Sequence, residues 1–224
     1  MMIHRLHFLL VLTMLVALTA CQTVFNTTVE SIRGSGNLIT ASRSVSGFSS
    51  IQVNLGAELL LTQGNGESLS VEADDNLMPY ILTDVHNGKL IVSTPNNTNI
   101  TPSKVIRLSV AFKTLAGIEI FGSSDITATN LDLDTLSINF SGSGSTHLSG
   151  QVDTQNITIR GQATLRNFDL SSRNVTANIN GNGTLEVNAT DTLGVTVAGI
   201  GNIHYTGNPS ITKNIMGAAS ITPR

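Results

Sequence analysis

Charge is scarce in this chain of 224 residues. Asp, Glu, Lys and Arg make up 12% of it, and the formal net charge is -3. That is about half the charged share of an average globular protein. No block of like charge stands out, so there is no electrostatic footprint for nucleic acid and no polybasic patch for an anionic membrane surface. Aromatic residues are 4% and Trp is absent. A core must therefore come from Ile, Leu and Val, which suit many short, evenly packed strands. The single cysteine, Cys21, excludes a disulfide framework and a thiolate metal cage. Ser, Thr, Asn and Gly take the place of charge. Apolar residues still reach 40%, enough to bury the core of one large or two small domains.

The position of the cysteine explains it. The chain opens MMIHRLHFLLVLTMLVALTAC. Arg5 gives a short positive start, Phe8 to Ala17 is apolar apart from Thr13, and Leu18, Thr19 and Ala20 lead to Cys21. That order is expected of a secretory signal. An uncleaved transmembrane helix is the alternative, but the apolar run is shorter than the ~20 residues of a span. LTAC resembles the bacterial lipobox, which implies cleavage before Cys21 and a diacylglycerol anchor on it. Residues 1–20 are then a lipoprotein signal peptide, and 21–42 a lipidated N-terminus and polar tether. An Asp after the cysteine would resemble an inner-membrane retention signal. Gln22 stands there instead, which implies a membrane partner in the outer membrane of a Gram-negative cell envelope.

The rest of the chain repeats. Aligned on Gly122, Gly142, Gly161, Gly181, Gly199 and Gly217, it advances in steps of 20, 19, 20, 18 and 18 residues. Two residues before each glycine stand Ile120, Phe140, Ile159, Ile179, Val197 and Ile215. Four before stand Ile118, Ile138, Ile157, Ala177 and Val195, with Lys213 as the exception. Four after stand Ile126, Thr146, Leu165, Leu185, Ile203 and Ile221. The residues between are polar or small, so one face of each strand points inward. A repeat this short cannot bury its own apolar face, but stacked copies can. The predicted fold is all-β: a right-handed parallel β-helix (solenoid) with rungs of about 18–20 residues. The glycines turn its corners, where either a positive φ or a close backbone approach excludes a Cβ. An antiparallel sandwich or meander is the alternative. It accounts for strands and turns, but it does not require one residue type at one offset six times.

Residues 43–115 are less periodic and read as an irregular N-terminal β cap, with the regular rungs in 116–224. SSIQVNLGAELLLTQG reads as two strands joined near Gly56, ILTDVHNGKLIVST as a hairpin turning at Asn87-Gly88, and IRLSVAF as a further strand. DDNLMPYI, with Pro79, suits a short helical turn. SVSGFSSIQVNLGAELLLTQG, LSVEADDNLMPYILTDVHNGKLIVST and the repeated GSG-x-[LI] rungs together resemble the putative autotransporter adhesin head domain, the GIN domain. The likeness extends over about residues 43–221. It implies a β-helical fold and an envelope location in Gram-negative bacteria, and it carries no catalytic residues.

Chemistry-bearing clusters are hard to find. His147 and His204 sit in an outward column with Thr127, Arg166, Glu186 and Thr222, three rungs apart and too distant to share a metal. His86 falls in the hairpin. Arg166 and Glu186 are expected to be neighbours on adjacent rungs, as a surface ion pair. Asp125, Asp132, Asp134, Asp153, Asp169, Glu186 and Asp191 are scattered; only Asp132-x-Asp134 points two carboxylates one way. No calcium repeat, nucleophile elbow or phosphate loop is present, so no cofactor, metal or catalytic residue is assigned. Asn139, Asn178 and Asn214 alternate with Thr158 and Thr196 in an uncharged outward column. That column is either a solvated wall or a contact for glycan or an envelope protein. The expected function is a non-catalytic binding or structural module of a cell-envelope lipoprotein. A β-helical polysaccharide-processing enzyme and a periplasm-facing scaffold are the alternatives. Self-association through an open solenoid end, guarded by Pro223, is a further expectation.

Overall fold

Alternating branched apolar and small polar residues leave each strand one face to bury, and stacking successive strands buries it. The computed structural model describes residues 30–224, of which 31–224 form one unit. The expected signal peptide and Cys21 lie outside the described residues. The strands are β1 (Glu30–Arg33), β2 (Leu38–Arg43), β3 (Ser50–Val53), β4 (Ala57–Gln63), β5 (Ser68–Asp74), β6 (Leu82–His86), β7 (Lys89–Ser93), β8 (Thr98–Thr101) and β9 (Ile106–Phe112). The series continues with β10 (Gly117–Ile120), β11 (Ser123–Phe140), β12 (Ser143–Ile159), β13 (Gln162–Ile179), β14 (Asn182–Val197), β15 (Ile200–Thr206), β16 (Ser210–Ile215) and β17 (Ala218–Pro223). One short 3₁₀ turn, Met78–Tyr80, carries Pro79.

The long strands β11 to β14 each run from one corner glycine almost to the next, so each contributes to two walls. The leading wall holds the segments that approach a corner. Its parallel order is β7, β3, β10, the second halves of β11 to β14, then β16. The trailing wall holds the segments that leave a corner: β9, β4, the first halves of β11 to β14, β15 and β17. Together these stacked parallel coils are a β-solenoid. The registers match the sequence columns. Ile120 pairs with Phe140, Phe140 with Ile159, Ile159 with Ile179, and Ile179 with Val197. All five are fully buried, each contributing about 1.5–3 kcal/mol by leaving water.

Close approach, and not φ, makes the corners glycine. None of Gly122, Gly142, Gly161, Gly181, Gly199 and Gly217 has a positive φ. A Cβ on Gly142, Gly161, Gly181, Gly199 or Gly217 would instead overlap the carbonyl oxygen of the corner glycine one rung earlier. Gly122 meets the carbonyl of Leu55 in the same way. At each corner the backbone is shared tightly. Asn180 N and Gly181 N both donate to Ile159 O (2.8 and 3.1 Å), and Asn182 N donates to Gly161 O (2.9 Å).

Two parts of the chain depart from the sequence reading. Within the segment read as an irregular cap, β3 and β4 form a regular rung. Ile51 and Val53 pair with Ile118 and Ile120, and Leu59 pairs with Ile126. Residues 64–116 leave this rung, lay β7 and β9 on its outer side, and return through Ala116. Ala116 N donates to Ser49 O (2.7 Å), and Ala116 O accepts from Ser137 N (2.9 Å). The second departure is the expected tether, 21–42, whose last part is folded. β2 pairs antiparallel with β5, which pairs antiparallel with β9, closing the cap edge. Asp74 fixes this edge from within. Its buried carboxylate accepts from Ser103 Oγ and from the backbone N–H groups of Gly36 (2.7 Å) and Ser103 (2.9 Å). The hairpin β6–β7 turns at Asn87 and Gly88 with φ of 49° and 73°, the type I′ signature expected there.

Candidate functional site

The leading wall presents an unusual outer surface. Over five rungs its outward residues are Thr135, Ser137 and Asn139; Thr154, Asn156 and Thr158; Asn174, Thr176 and Asn178; Thr192, Gly194 and Thr196; and Ser210, Thr212 and Asn214. The register stacks them in three straight columns. Not one carries a charge or a large apolar group. The uncharged column of Asn139, Thr158, Asn178, Thr196 and Asn214 is therefore the edge of a broader field. Strand spacing of about 4.8 Å along the stack makes the field a lattice of hydroxyls and amides. Among the described residues one side-chain hydrogen bond lies within it, Thr192 Oγ1 to Asn174 Oδ1 at 2.7 Å. Most of its donors and acceptors face outward unpaired with one another.

Charge gathers on the trailing wall and on the edges. His147 and His204 are exposed on the trailing wall, as the columns imply; Thr222 Oγ1 lies 2.9 Å from His204 Nδ1. Arg166 and Glu186 are register partners, but among the described residues no ion pair joins them. The ion pairs among the described residues are Lys89–Glu119, at the cap end of the leading wall, Arg107 with Glu58 and Glu72 on the trailing wall, and Arg173–Asp191. Arg173 and the Thr190 hydroxyl hold the Asp191 carboxyl below the usual range, the hydroxyl acting most strongly. His86 is exposed beside the hairpin turn.

The Asp132-x-Asp134 pair has no basic side chain beside it. Asp132 and Asp134 line a depression of about 370 Å³ with Ser49, Thr114 and Thr135, and no His, Lys or Arg lines it. Asp132 accepts from Gln151 Nε2 (3.0 Å), and its backbone N–H donates to Gln63 Oε1 (2.8 Å). Among the described residues no group of three or more His, Cys, Asp or Glu is placed to hold a metal ion. Inside the solenoid, Thr146 occupies an apolar column. Its hydroxyl donates to Asn167 Oδ1 (2.8 Å), and both residues are buried. Thr146 is the polar member of the column four residues after the corner glycines, and nothing in the sequence marked its partner.

Stacked coils and a flat uncharged wall define a surface-presenting β-solenoid. The chain belongs to the family of the putative auto-transporter adhesin head GIN domain, whose model matches residues 47–209. Two solved structures are similar to it. A putative adhesin from Bacteroides fragilis NCTC 9343 shares 23% identity with a TM-score of 0.69, over 86% of this chain and 100% of that one. A putative lipid binding protein from Parabacteroides distasonis ATCC 8503 shares 25% identity with a TM-score of 0.55, over 87% and 100%. No curated protein matches the sequence. The family is named for adhesins, a non-enzymatic class of the cell surface and envelope.

Proposed function

We propose that the protein is an envelope-anchored binding module that acts by display, with no covalent chemistry. The lattice of Ser, Thr and Asn on the leading wall carries this reading. An uncharged surface of donors and acceptors disfavours phosphate-rich and strongly ionic partners, whose affinity comes from charge. It suits a neutral, hydroxyl-rich polymer or a polar protein face, each of which satisfies many weak hydrogen bonds at once. Lipid on Cys21 anchors the module in the outer membrane, with about 0.8 kcal/mol from each buried CH₂.

Two measurements test the reading. The Cys21→Ala variant is expected in the soluble fraction; if it still pellets with membranes, the anchor is misassigned. For the surface, the full chain is incubated with a polysaccharide panel and with envelope extract, and the recovered glycan is assayed for shortening. Intact bound glycan supports the adhesive reading. Shortened glycan overturns it in favour of a polysaccharide-processing enzyme. An envelope protein recovered in place of glycan makes the module a scaffold.

A further inference from the structure

At its cap end the polar trailing wall is broken by an exposed leucine. In β4 the inward residues Leu59 and Leu61 flank Leu60, which points outward and is 48% exposed. Its register neighbours in that outward column are Ser109 and Thr127. No core packing accounts for a leucine there. Beside it a charged row crosses four strands: Glu72 on β5, Arg107 on β9, Glu58 on β4 and Asp125 on β11. Arg107 bonds both glutamates, at 3.0 Å to Glu58 and 3.2 Å to Glu72. Asp125 is the direct partner of Glu58 across the strands and, among the described residues, accepts one side-chain hydrogen bond, from the Ser145 hydroxyl (2.6 Å). Like charges placed directly opposite destabilise a sheet. The row therefore sets three carboxylates against one guanidinium, which bonds Glu58 and Glu72 and leaves Asp125 beside Glu58.

These groups line a depression of about 390 Å³, and a second of about 430 Å³ adjoins it through Asp125. Lys104 and the 59% exposed Val105 line the second. Each falls in the range of small-molecule sites. The chemistry required of an occupant is specific. It must donate hydrogen bonds to two carboxylates, accept from an arginine whose other edge is occupied, and cover a leucine. A metal ion would ligate the carboxylates but could neither accept from the arginine nor cover the leucine, and an acidic ligand is repelled by the carboxylates. A sugar ring meets all three, with hydroxyls on its rim and C–H bonds on its face.

We propose that this trough is a saccharide site, in which a sugar unit lies with its C–H face on Leu60 and its hydroxyls on Glu58, Asp125 and Arg107. The adjoining depression takes the next unit of the chain, against Val105. The site rests on the reading of the protein as a glycan-binding module, and it places recognition of the sugar on the cap side of the trailing wall.

The test measures binding of the full chain, in detergent, to a panel of immobilised neutral oligosaccharides. Leu60→Thr restores the residue type of Thr127 in the same column, and Asp125→Asn keeps an acceptor for Ser145, so both variants are expected to melt with the wild type. Each should weaken the best oligosaccharide by about tenfold or more, the worth of a charge-assisted hydrogen bond or a covered leucine. Asp169→Asn, an exposed position on β13 outside both the trough and the leading-wall lattice, should leave that affinity within about twofold, as a substitution distant from the site. Binding that survives both trough variants overturns the trough and leaves the display reading standing. Failure of the wild type to bind any oligosaccharide of the panel overturns both.

Discussion

Substituting alanine at two glycines should have opposite effects. At Gly181 a Cβ would overlap the carbonyl oxygens of Gly161 and Arg160. The methyl cannot be accommodated by a rotamer change, because the obstacles are backbone. The corner must therefore open. Opening it strains three hydrogen bonds, from Asn180 N and Gly181 N to Ile159 O and from Asn182 N to Gly161 O. At about 1 kcal/mol net for each bond, losing all three sets an upper cost of about 3 kcal/mol. Replacing glycine also restricts the unfolded chain, which returns about 0.4–1 kcal/mol. A net destabilisation of about 2 kcal/mol is expected. Gly64 is the control. It is exposed, has no positive φ, and a Cβ there would meet nothing within 4 Å. Only the unfolded-state effect acts, so Gly64→Ala should stabilise by about 0.5 kcal/mol. Urea unfolding followed by far-UV circular dichroism reads both, with the m-value checked for constancy. Equal midpoints for the two variants would refute the close-approach account of the corners.

Two further outcomes are expected. The Asp74 carboxyl is held below its usual range, first by the Ser103 hydroxyl and then by the backbone N–H groups of Ser103 and Gly36, against the opposing effect of burial. A depressed folded pKa stabilises the protein above the unfolded value of about 3.9 and is lost as pH falls through the folded value. The urea midpoint should therefore drop below about pH 4 and drop less in Asp74→Asn; an equally steep drop in the variant would assign the linkage elsewhere. Lys213 sits in the inward column below Val195, on the edge strand β16 whose residues are all exposed. An inward charge on an edge strand hinders further pairing, so Lys213→Val should self-associate at lower concentration than the wild type in light scattering; an unchanged concentration dependence would show that Lys213 is no guard.

The regular rungs were legible because a stacked coil requires the same residue at the same offset. Gly142, Gly161, Gly181, Gly199 and Gly217 each close on the preceding corner, and that requirement surfaces in the sequence as a period. The first rung obeys the same geometry but was hidden. Gly56 and Gly122 belong to neighbouring corners, yet the excursion through β5 to β9 separates them in sequence. The pairing of β2 with β5 was illegible for a related reason. Leu38 and Ile39 are both about 40% exposed, so the strand lacks the alternation that marks a half-buried one. The neutral wall was seen as one column, and its full width followed only from the register. The trough left a single trace, the run of three leucines at 59–61, because Glu72, Arg107, Glu58 and Asp125 meet only after stacking.

Those differences follow from how a solenoid divides its work. A position repeated in every rung must first satisfy the rung above and the rung below, which selects small or branched residues and keeps like on like. The leading wall meets that demand with Ser, Thr and Asn and is uniform in consequence, suited to area and repetition. Selectivity for one ligand requires residues that differ from their column, and such residues are tolerated where the stacking constraint is relaxed. The cap is that place. Its inserted strands β5 and β9 bring Glu72 and Arg107 against Glu58 on the first rung, and Leu60 departs from its polar column beside them. A uniform wall for extended contact and an irregular cap for discrimination are therefore the expected arrangement. Variants on the wall should alter binding gradually with the number of rungs changed, whereas one substitution in the cap should suffice.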